Sequence, residues 1–235
     1  MTFGSEPVKI NETLKKEAAP RPKPSWLKWA FSAAAGLLIV VGLIVLLREY
    51  KISQATGTVD GHEYVDFVLS VKWATCNVGA SSPSDYGNYY AWGEVRTKSE
   101  YTEDNCATWN KSMGDISGNS TYDAARYNWG GKWRLPTKAE CQELVDNCTW
   151  TWITQGGHKG YKVTSNKNGA SIFLPAAGAR HGSSLDQAGE SGCYWSSTPF
   201  ESITQDAYDL TFYSGDRYVA WDYRRRGRSV RPVSE

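Results

Sequence analysis

The sequence lacks the motifs that usually carry catalysis. It contains three histidines, and neither HExxH, GxSxG nor a phosphate-binding loop occurs, which argues against zinc proteases, serine hydrolases and P-loop enzymes. There is no CxxC and no Cys/His cluster with zinc spacing. Carboxylates such as Glu94 and Asp104 are scattered, and no spacing singles out a glycosidase acid/base pair. We therefore expect no catalytic residue, no metal site and no cofactor.

The sequence also has no excess of either positive or negative charge. The formal net charge is +1 at pH 7, so no overall field indicates a nucleic-acid partner. Aromatic residues, in contrast, make up 13% of the chain, with eleven Trp and fourteen Tyr, and 22 Gly accompany them. This composition excludes a disordered chain and favours a strand- and loop-rich fold with an exposed binding face.

Five cysteines follow the apolar segment described next: Cys76, Cys106, Cys141, Cys148 and Cys193. The odd count leaves at least one thiol unpaired or intermolecular. Whether others form disulfides after export stays open. Cys141 and Cys148 would lie about 10 Å apart along one helix, too far to bridge unless the helix ends between them.

An uncharged apolar run covers residues 29–47 (WAFSAAAGLLIVVGLIVLL). At about 1.5 Å per residue a helix of this length spans about 28 Å, close to the hydrocarbon thickness of a bilayer. Trp26 and Trp29 at one end and Tyr50 at the other resemble an interfacial aromatic belt. We predict a transmembrane helix over 26–50 that acts as an uncleaved signal-anchor.

Basic residues are more frequent before this run than after it. Those before it are Lys9, Lys15, Lys16, Arg21, Lys23 and Lys28, and those shortly after it are Arg48 and Lys51. The positive-inside rule then places a disordered tail, residues 1–25, in the cytoplasm of a bacterial cell. A linker (51–62) and a domain (63–235) follow on the periplasmic or extracellular side.

Hydrophobic patterning predicts an α+β domain. Residues 64–74 alternate like one or two strands, 77–90 are turn-rich, and 95–128 read as a long loop. Thr137 can cap a helix, with Glu140 three residues later completing a capping box, and the helix runs to about Asn147. Short strands follow in GYKVTS, SIFLPAAG, CYWSST and AYDLTFYS, at spacings typical of an antiparallel meander.

Several segments together resemble the Fibrobacter succinogenes major paralogous domain family. The matching stretches are LSVKWATCNVGASSPSDYGNYYAWGE (69–94), WRLPTKAECQELVDNCTWTW (133–152), GYKVTSNKNGASIFLPAAG (160–178), YWSST (194–198) and GRSVRPV (227–233). WRLPTKAE is also similar to a segment of formylglycine-generating-enzyme-type domains.

These resemblances imply a C-type-lectin-like domain with a small twisted antiparallel sheet, one or two helices and long loops, preceded by the transmembrane helix. They also imply that GRSVRPV forms a strand near the sheet centre, with Val230 and Val233 buried. The chain lacks the site residues of two groups of proteins with this fold. Formylglycine-generating enzymes bind copper with a close pair of Cys, but Cys193 has no second Cys nearby. Sugar-binding C-type lectins bind calcium through EPN, QPD or WND triplets, and none of these occurs here.

Residues 180–235 are similar to the variable region of diversity-generating retroelement target proteins, which implies a fixed skeleton with diversified exposed positions. Alternation places Leu210 and Phe212 inward. RYVAWDYRRR (217–226) combines Tyr, Trp and Arg, the residues enriched in binding hot spots. The predicted ligand-binding residues are His181, Asp209, Thr211, Tyr213, Asp216, Arg217, Tyr218, Trp221, Tyr223, Arg224 and Arg226.

We therefore expect a membrane-anchored display protein, held in the bilayer through residues 29–47, that binds a protein or glycan on this face. The alternatives for the face are a plain solvated surface and a basic patch for phosphate or an anionic glycan. The alternatives for the whole chain are an enzyme of formylglycine-generating type and a structural envelope module.

Overall fold

The structure is a computed structural model that describes residues 1, 37–47, 49 and 55–235. The chain divides into two compact units, Met1–Val45 and Leu46–Glu235. Apart from Met1, the predicted cytoplasmic tail lies outside the described residues. The described part of the second unit forms its first strand at Thr56, within the predicted linker.

The structure corrects the prediction of a transmembrane helix over 26–50. Residues 37–47 and 49 are helical, but among the described residues no helix combines the length and the apolar character needed to cross a membrane. Hydropathy measures how readily a segment leaves water, and it does not determine how long a helix the segment forms. Residues 26–36, 48 and 50, which the prediction also covered, lie outside the described residues.

Residues 55–235 contain two short helices and twelve strands. The helices are α1 (Ala124–Trp129) and α2 (Lys138–Asn147). The strands are β1 (Thr56–Val59), β2 (His62–Asp66), β3 (Lys72–Ala74), β4 (Cys148–Gln155), β5 (His158–Ser165), β6 (Ser171–Pro175), β7 (Ala179–His181), β8 (Ser184–Asp186), β9 (Ser191–Pro199), β10 (Asp206–Tyr213), β11 (Asp216–Tyr223) and β12 (Val233–Ser234).

The strands form four small antiparallel sheets, with orders β1-β2-β3-β12, β11-β10-β9, β4-β5-β6 and β7-β8. The α+β class with a single small sheet is therefore wrong for the described part, which is mainly β. The described part is mainly β because Gly- and Asn-rich turns connect most of its strands and leave room for few helices. Val230 and Val233 are buried as expected, but β12 lies at the end of its sheet rather than near the centre.

The β11-β10-β9 sheet lies between two hydrophobic clusters. Tyr194, Leu210 and Phe212 belong to the first cluster, where the Phe212 ring lies 5.8 Å from the ring of Tyr194. Trp195 and Ala207, whose side chains alternate with these, belong to the second. Strand β9 is consequently buried on both faces, which explains its nearly continuous apolar and small-residue sequence.

The capping box predicted for α2 is confirmed. The Thr137 hydroxyl accepts a hydrogen bond from the Glu140 backbone N–H (3.2 Å), and the Glu140 carboxylate accepts one from the Thr137 N–H (2.8 Å). Arg134 forms an ion pair with the same carboxylate at 2.7 Å. Together these contacts fix where the helix begins. The helix ends at Asn147, and β4, which the sequence analysis missed, follows immediately.

Helix α1 begins inside the segment predicted as a loop (95–128), and a buried carboxylate holds it in place. Asp123 is 0% exposed. Its Oδ1 accepts from the backbone N–H groups of Ala125 (2.8 Å) and Arg126 (3.0 Å). Its Oδ2 accepts from those of Gly118 (2.7 Å) and Leu135 (2.8 Å). Burial raises the pKa of this carboxyl, against the effect of the four donors. One side chain thus ties α1 to the loop before it and to the segment that leads into α2.

We expect Asp123→Ala to lower the free energy of unfolding by roughly 2–4 kcal/mol, because four buried or half-buried N–H groups lose their acceptor. Asp123→Asn should also destabilise the fold, since its NH₂ group would meet two of the N–H donors. Urea denaturation followed by Trp fluorescence measures both. The exposed Asp104→Ala serves as a control, and an equal effect of Asp104→Ala and Asp123→Ala would contradict the assignment.

His62 lies in an aromatic cluster with α1. Its ring stacks on Trp129 at 3.7 Å with an interplanar angle of 3°, and Trp133 contacts it edge-on at 6.2 Å. Burial lowers the pKa of His62 below its ordinary value of 6.5, against the effect of Asp60. The folded chain therefore takes up this proton at lower pH than the unfolded chain does, and stability falls as the pH drops below about 6.5.

Replacing His62 by Phe should weaken the loss of stability between pH 7.5 and 5.5, because the ring stacking is kept while the titrating group is removed. Thermal melts across this range test the difference, with His181→Phe, at the exposed end of β7, as the comparison. If the stability of the two variants depends on pH in the same way, protonation of His62 does not cause the loss of stability.

Candidate functional site

The hairpin of β10 and β11 has two chemically different faces. Asp209 pairs with Ala220, Thr211 with Tyr218, and the register runs without a break along all eight residue pairs. Directly opposed residues in an antiparallel pair share a face. Asp209, Thr211, Ala220, Tyr218 and Asp222 therefore point to one side, which we call the cavity face. Leu210 and Phe212 point to the other side, towards the first hydrophobic cluster.

A cavity of about 470 Å³ opens on the cavity face. Its size falls within the range of about 300–1,000 Å³ that is usual for small-molecule sites. The β7-β8 hairpin and the segment before β12 complete its walls. The lining residues are Ala179, Asp186, Gln187, Cys193, Asp209, Thr211, Tyr218, Ala220, Trp221, Asp222, Arg226 and Arg228.

A buried charge network forms the floor of this cavity. Arg228 is 4% exposed and Asp209 is 0% exposed. The Arg228 guanidinium pairs with the carboxylates of Asp209 and Asp222, and its carbon lies 4.7 Å from the centre of the Trp195 ring. The Thr211 hydroxyl donates to Asp209 Oδ2 (3.1 Å) and accepts from Arg228 Nη1 (3.4 Å). These contacts bind the segment before β12 to the sheet.

Some polar atoms of this network have no partner in the chain. Among the described residues, neither Asp209 Oδ1 nor Arg228 Nε makes a hydrogen bond. Buried polar groups are usually satisfied by protein, by ordered water or by a ligand. One acceptor and one donor of a single ion pair are thus buried without a partner in the chain, and both belong to residues that line the cavity.

Tyrosines stand beside the cavity. Tyr218 is 39% exposed and Tyr213 is 44% exposed, and their rings meet edge to face at 6.2 Å. Burial raises the pKa of Tyr218, and the neighbouring Tyr213 raises it further. The hydroxyl of Tyr218 is therefore protonated at neutral pH and can both donate and accept a hydrogen bond.

The structure brings together five of the residues predicted from sequence. Asp209, Thr211, Tyr218, Trp221 and Arg226 all line the cavity. Because alternation places Leu210 and Phe212 inward, Asp209 and Thr211 were both expected to face outward, but Asp209 is buried in the floor and Thr211 is half-buried.

The other predicted residues lie elsewhere. Tyr213 and Asp216 form the last pair of the hairpin, on the cavity face but beyond the cavity. Arg217 and Tyr223 pair with Phe212 and Asp206 and so belong to the opposite face. His181 is exposed at the end of β7 and does not line the cavity.

Arg224 is buried. It is 1% exposed, its Nε donates to the Asp206 carbonyl (3.0 Å) and its Nη1 to the Lys111 carbonyl (2.8 Å). The guanidinium carbon also lies 4.3 Å from the centre of the Trp92 ring. The run Arg224 to Arg226 is therefore not one solvated basic stripe, and Arg224 holds the long loop against the sheet.

Sequence reasoning missed part of the lining. Arg228 and Asp222 were not among the predicted residues, and neither were Asp186 and Gln187 of the β7-β8 region. Asp222 could have been found from the period of two, which places it with Tyr218. Arg228 has no comparable local pattern, since its role depends on a carboxylate 19 positions earlier in the chain.

A family model described as a domain of unknown function (DUF8237) matches residues 158–233. The match covers the whole β11-β10-β9 sheet, the β7-β8 hairpin and every residue that lines the cavity. No curated protein and no solved structure matches the chain. The resemblance to the Fibrobacter paralogous family stays a prediction.

All five cysteines are free, so no disulfide links any pair of them. Burial raises the pKa of Cys148 to about 12 and also raises that of Cys141, and such thiols are poor nucleophiles. Cys193 lines the cavity and lies 3.8 Å from the Thr211 hydroxyl. Within the described residues, no three His, Cys, Asp or Glu side chains are grouped so that they could hold a metal ion.

The two arginines should differ in their contribution to stability. We expect Arg224→Ala to lower the free energy of unfolding by roughly 2–4 kcal/mol, because buried carbonyls lose their donor and a cavity is left. Arg226→Ala should change it by less than about 1 kcal/mol, because its ion pair with Asp222 is long, at 3.8 Å, and partly exposed. Urea denaturation of both variants distinguishes this from a shared surface role, for which the two changes would be similar and small.

Proposed function

We propose that the chain is a binding protein that holds a protein or glycan ligand on the cavity face of the β11-β10-β9 sheet. The observation that carries the proposal is the cavity with a largely buried charge network as its floor, in which two polar atoms have no partner in the chain. Floors of this kind keep polar groups in place before a ligand arrives, which reduces the entropy lost on binding.

The exposed aromatic side chains beside the cavity support the same proposal. Tyr213 and Tyr218 lie on the cavity face, outside both hydrophobic clusters, although large aromatic side chains are usually buried in part against a core. Tyr provides a large contact area with few rotatable bonds and a polar hydroxyl, and it is enriched in binding hot spots. A ligand that fills the cavity could therefore extend over these rings.

Diversification of residues 180–235 is also a proposal, supported by the resemblance to retroelement target proteins. On this fold, tolerated changes would concentrate at exposed positions of the cavity face, such as Tyr213 and Tyr218, and spare Asp209, Arg224 and Arg228. A neighbouring reverse transcriptase gene and a repeat of this coding region that differs only at adenines would support it, and the absence of both would count against it.

The proposed function predicts a difference between the two faces of β11. Tyr218→Ala, on the cavity face, should weaken ligand binding tenfold or more, as expected for a hot-spot aromatic residue. Tyr223→Ala, on the opposite face, should bind as the unchanged chain does. The two tyrosines are matched controls, because Tyr218 is 39% and Tyr223 43% exposed.

The measurement uses the purified full chain, a random-peptide phage library and a printed glycan array. Binders are selected on the unchanged chain and their affinities are then measured for both variants, after circular dichroism has shown that both fold. Binders that lose affinity equally with both variants, or with neither, would contradict the assignment of the cavity face, as would a failure to select any binder.

A further inference from the structure

We infer that the occupant of the cavity is a neutral, polyhydroxylated group, that is, a saccharide recognised without a metal ion. The inference rests on the proposed function and specifies its ligand. Three properties of the lining carry it: its balance of charge, its mixture of donors and acceptors, and the ring of Tyr218 beside them.

The charges of the lining largely compensate one another. Arg228 pairs with Asp209 and Asp222, and Arg226 lies within 3.8 Å of Asp222. Asp186, which makes no ion pair among the described residues, is exposed to water on the rim. An anionic ligand would lose hydration in the cavity without meeting an uncommitted cation, which is unfavourable. A cationic ligand would meet only the water-exposed Asp186, whose attraction is weakened by solvent screening.

This balance argues against the basic-patch alternative considered from the sequence. A phosphate or an anionic glycan needs guanidinium groups that are free to form charge-assisted hydrogen bonds. Both arginines of the lining already face carboxylates, and Arg224, the first of the three consecutive arginines, is buried away from the cavity. The positive charge suggested by the sequence is therefore offset by neighbouring carboxylates in the cavity.

Donors and acceptors alternate over a short distance in the lining. Carboxylates only accept hydrogen bonds, guanidinium groups only donate them, and the hydroxyls of Thr211 and Tyr218 do both. The Asp222 carboxylate, the Arg226 guanidinium and the Thr211 hydroxyl belong to half-buried residues of the lining. A ligand hydroxyl can donate to a carboxylate and accept from a guanidinium at once. Adjacent hydroxyls on one ring match such a surface better than a group that only donates or only accepts.

The lining also has an apolar part. Tyr218, Ala220, Ala179 and Cys193 contribute aromatic and aliphatic surface next to the polar groups. A sugar ring presents C–H groups on one face and hydroxyls around its edge, so it can pack on the Tyr218 ring while its hydroxyls reach Thr211 and Asp222. Pockets that are partly apolar with a few convergent polar groups are typical of small-molecule sites.

The test is isothermal titration calorimetry of the full chain with defined glycosides. The neutral probes are methyl α-glucoside, methyl α-mannoside, methyl β-galactoside and lactose, and the charged probes are glucosamine and glucuronate. At least one neutral probe should bind with a millimolar or lower Kd, at least tenfold more tightly than either charged probe. Chelator should leave this affinity unchanged.

Two variants connect the binding to the cavity. Thr211→Val removes a hydroxyl of the lining and should weaken binding tenfold or more, whereas Thr154→Val, at an exposed position of β4, should have no effect. Since Thr211 also contacts the ion pair, a second variant is needed that keeps every polar group. Ala220→Leu fills the cavity and should abolish binding while the chain still melts cooperatively.

The inference is wrong if no neutral probe binds, if a charged probe binds more tightly, or if Thr211→Val and Ala220→Leu both bind as the unchanged chain does. Selected peptides that require Tyr218, together with no glycoside binding, would leave the proposed function standing and remove only this inference. A glycoside that binds regardless of Tyr218, Thr211 and Ala220 would remove both.

Discussion

The ion pair between Arg228 and Asp209 is the contact on which the cavity and its surroundings depend. Both residues are almost fully buried, so each charge is stable there only because the other is present, and losing either partner leaves an uncompensated charge in the interior. The pair joins the segment before β12 to the middle strand of the β11-β10-β9 sheet. It also allows the sheet face that carries Trp195 and Ala207 of the second hydrophobic cluster to carry the polar cavity as well.

Local patterns in the sequence were sufficient wherever a feature depends on near neighbours. The Thr137–Glu140 capping box was predicted and is confirmed, because both partners lie within one helical turn. The inward direction of Leu210 and Phe212 followed from the period of two along a strand. The same period also separates Tyr218 from Tyr223, so the division of the aromatic run between two faces was accessible from sequence, although it was predicted as one surface.

Features that depend on distant residues were not accessible in this way. The burial of Arg224 depends on carbonyls of the loop at Thr108 and Lys111, more than 110 positions earlier in the chain. A run of arginines gives no indication of such partners, and solvation is the natural expectation for it. The α+β class and the transmembrane helix were also wrong. The first was inferred from hydrophobic patterning, which does not determine how strands divide among sheets. For the second, no helix among the described residues is long and apolar enough to cross a membrane.

The pairing of the segment at and just before β12 with β3 affects the order in which the chain can fold during synthesis. The Val78 N–H donates to the Val230 carbonyl and the Ala74 N–H to the Pro232 carbonyl, so strands near the start of the domain are completed by residues made about 150 positions later. Contacts so distant along the chain slow folding, and until they form the edge of β3 stays open. During synthesis, β3 would therefore lack its partner until the segment around Val230 to Ser234 emerges from the ribosome.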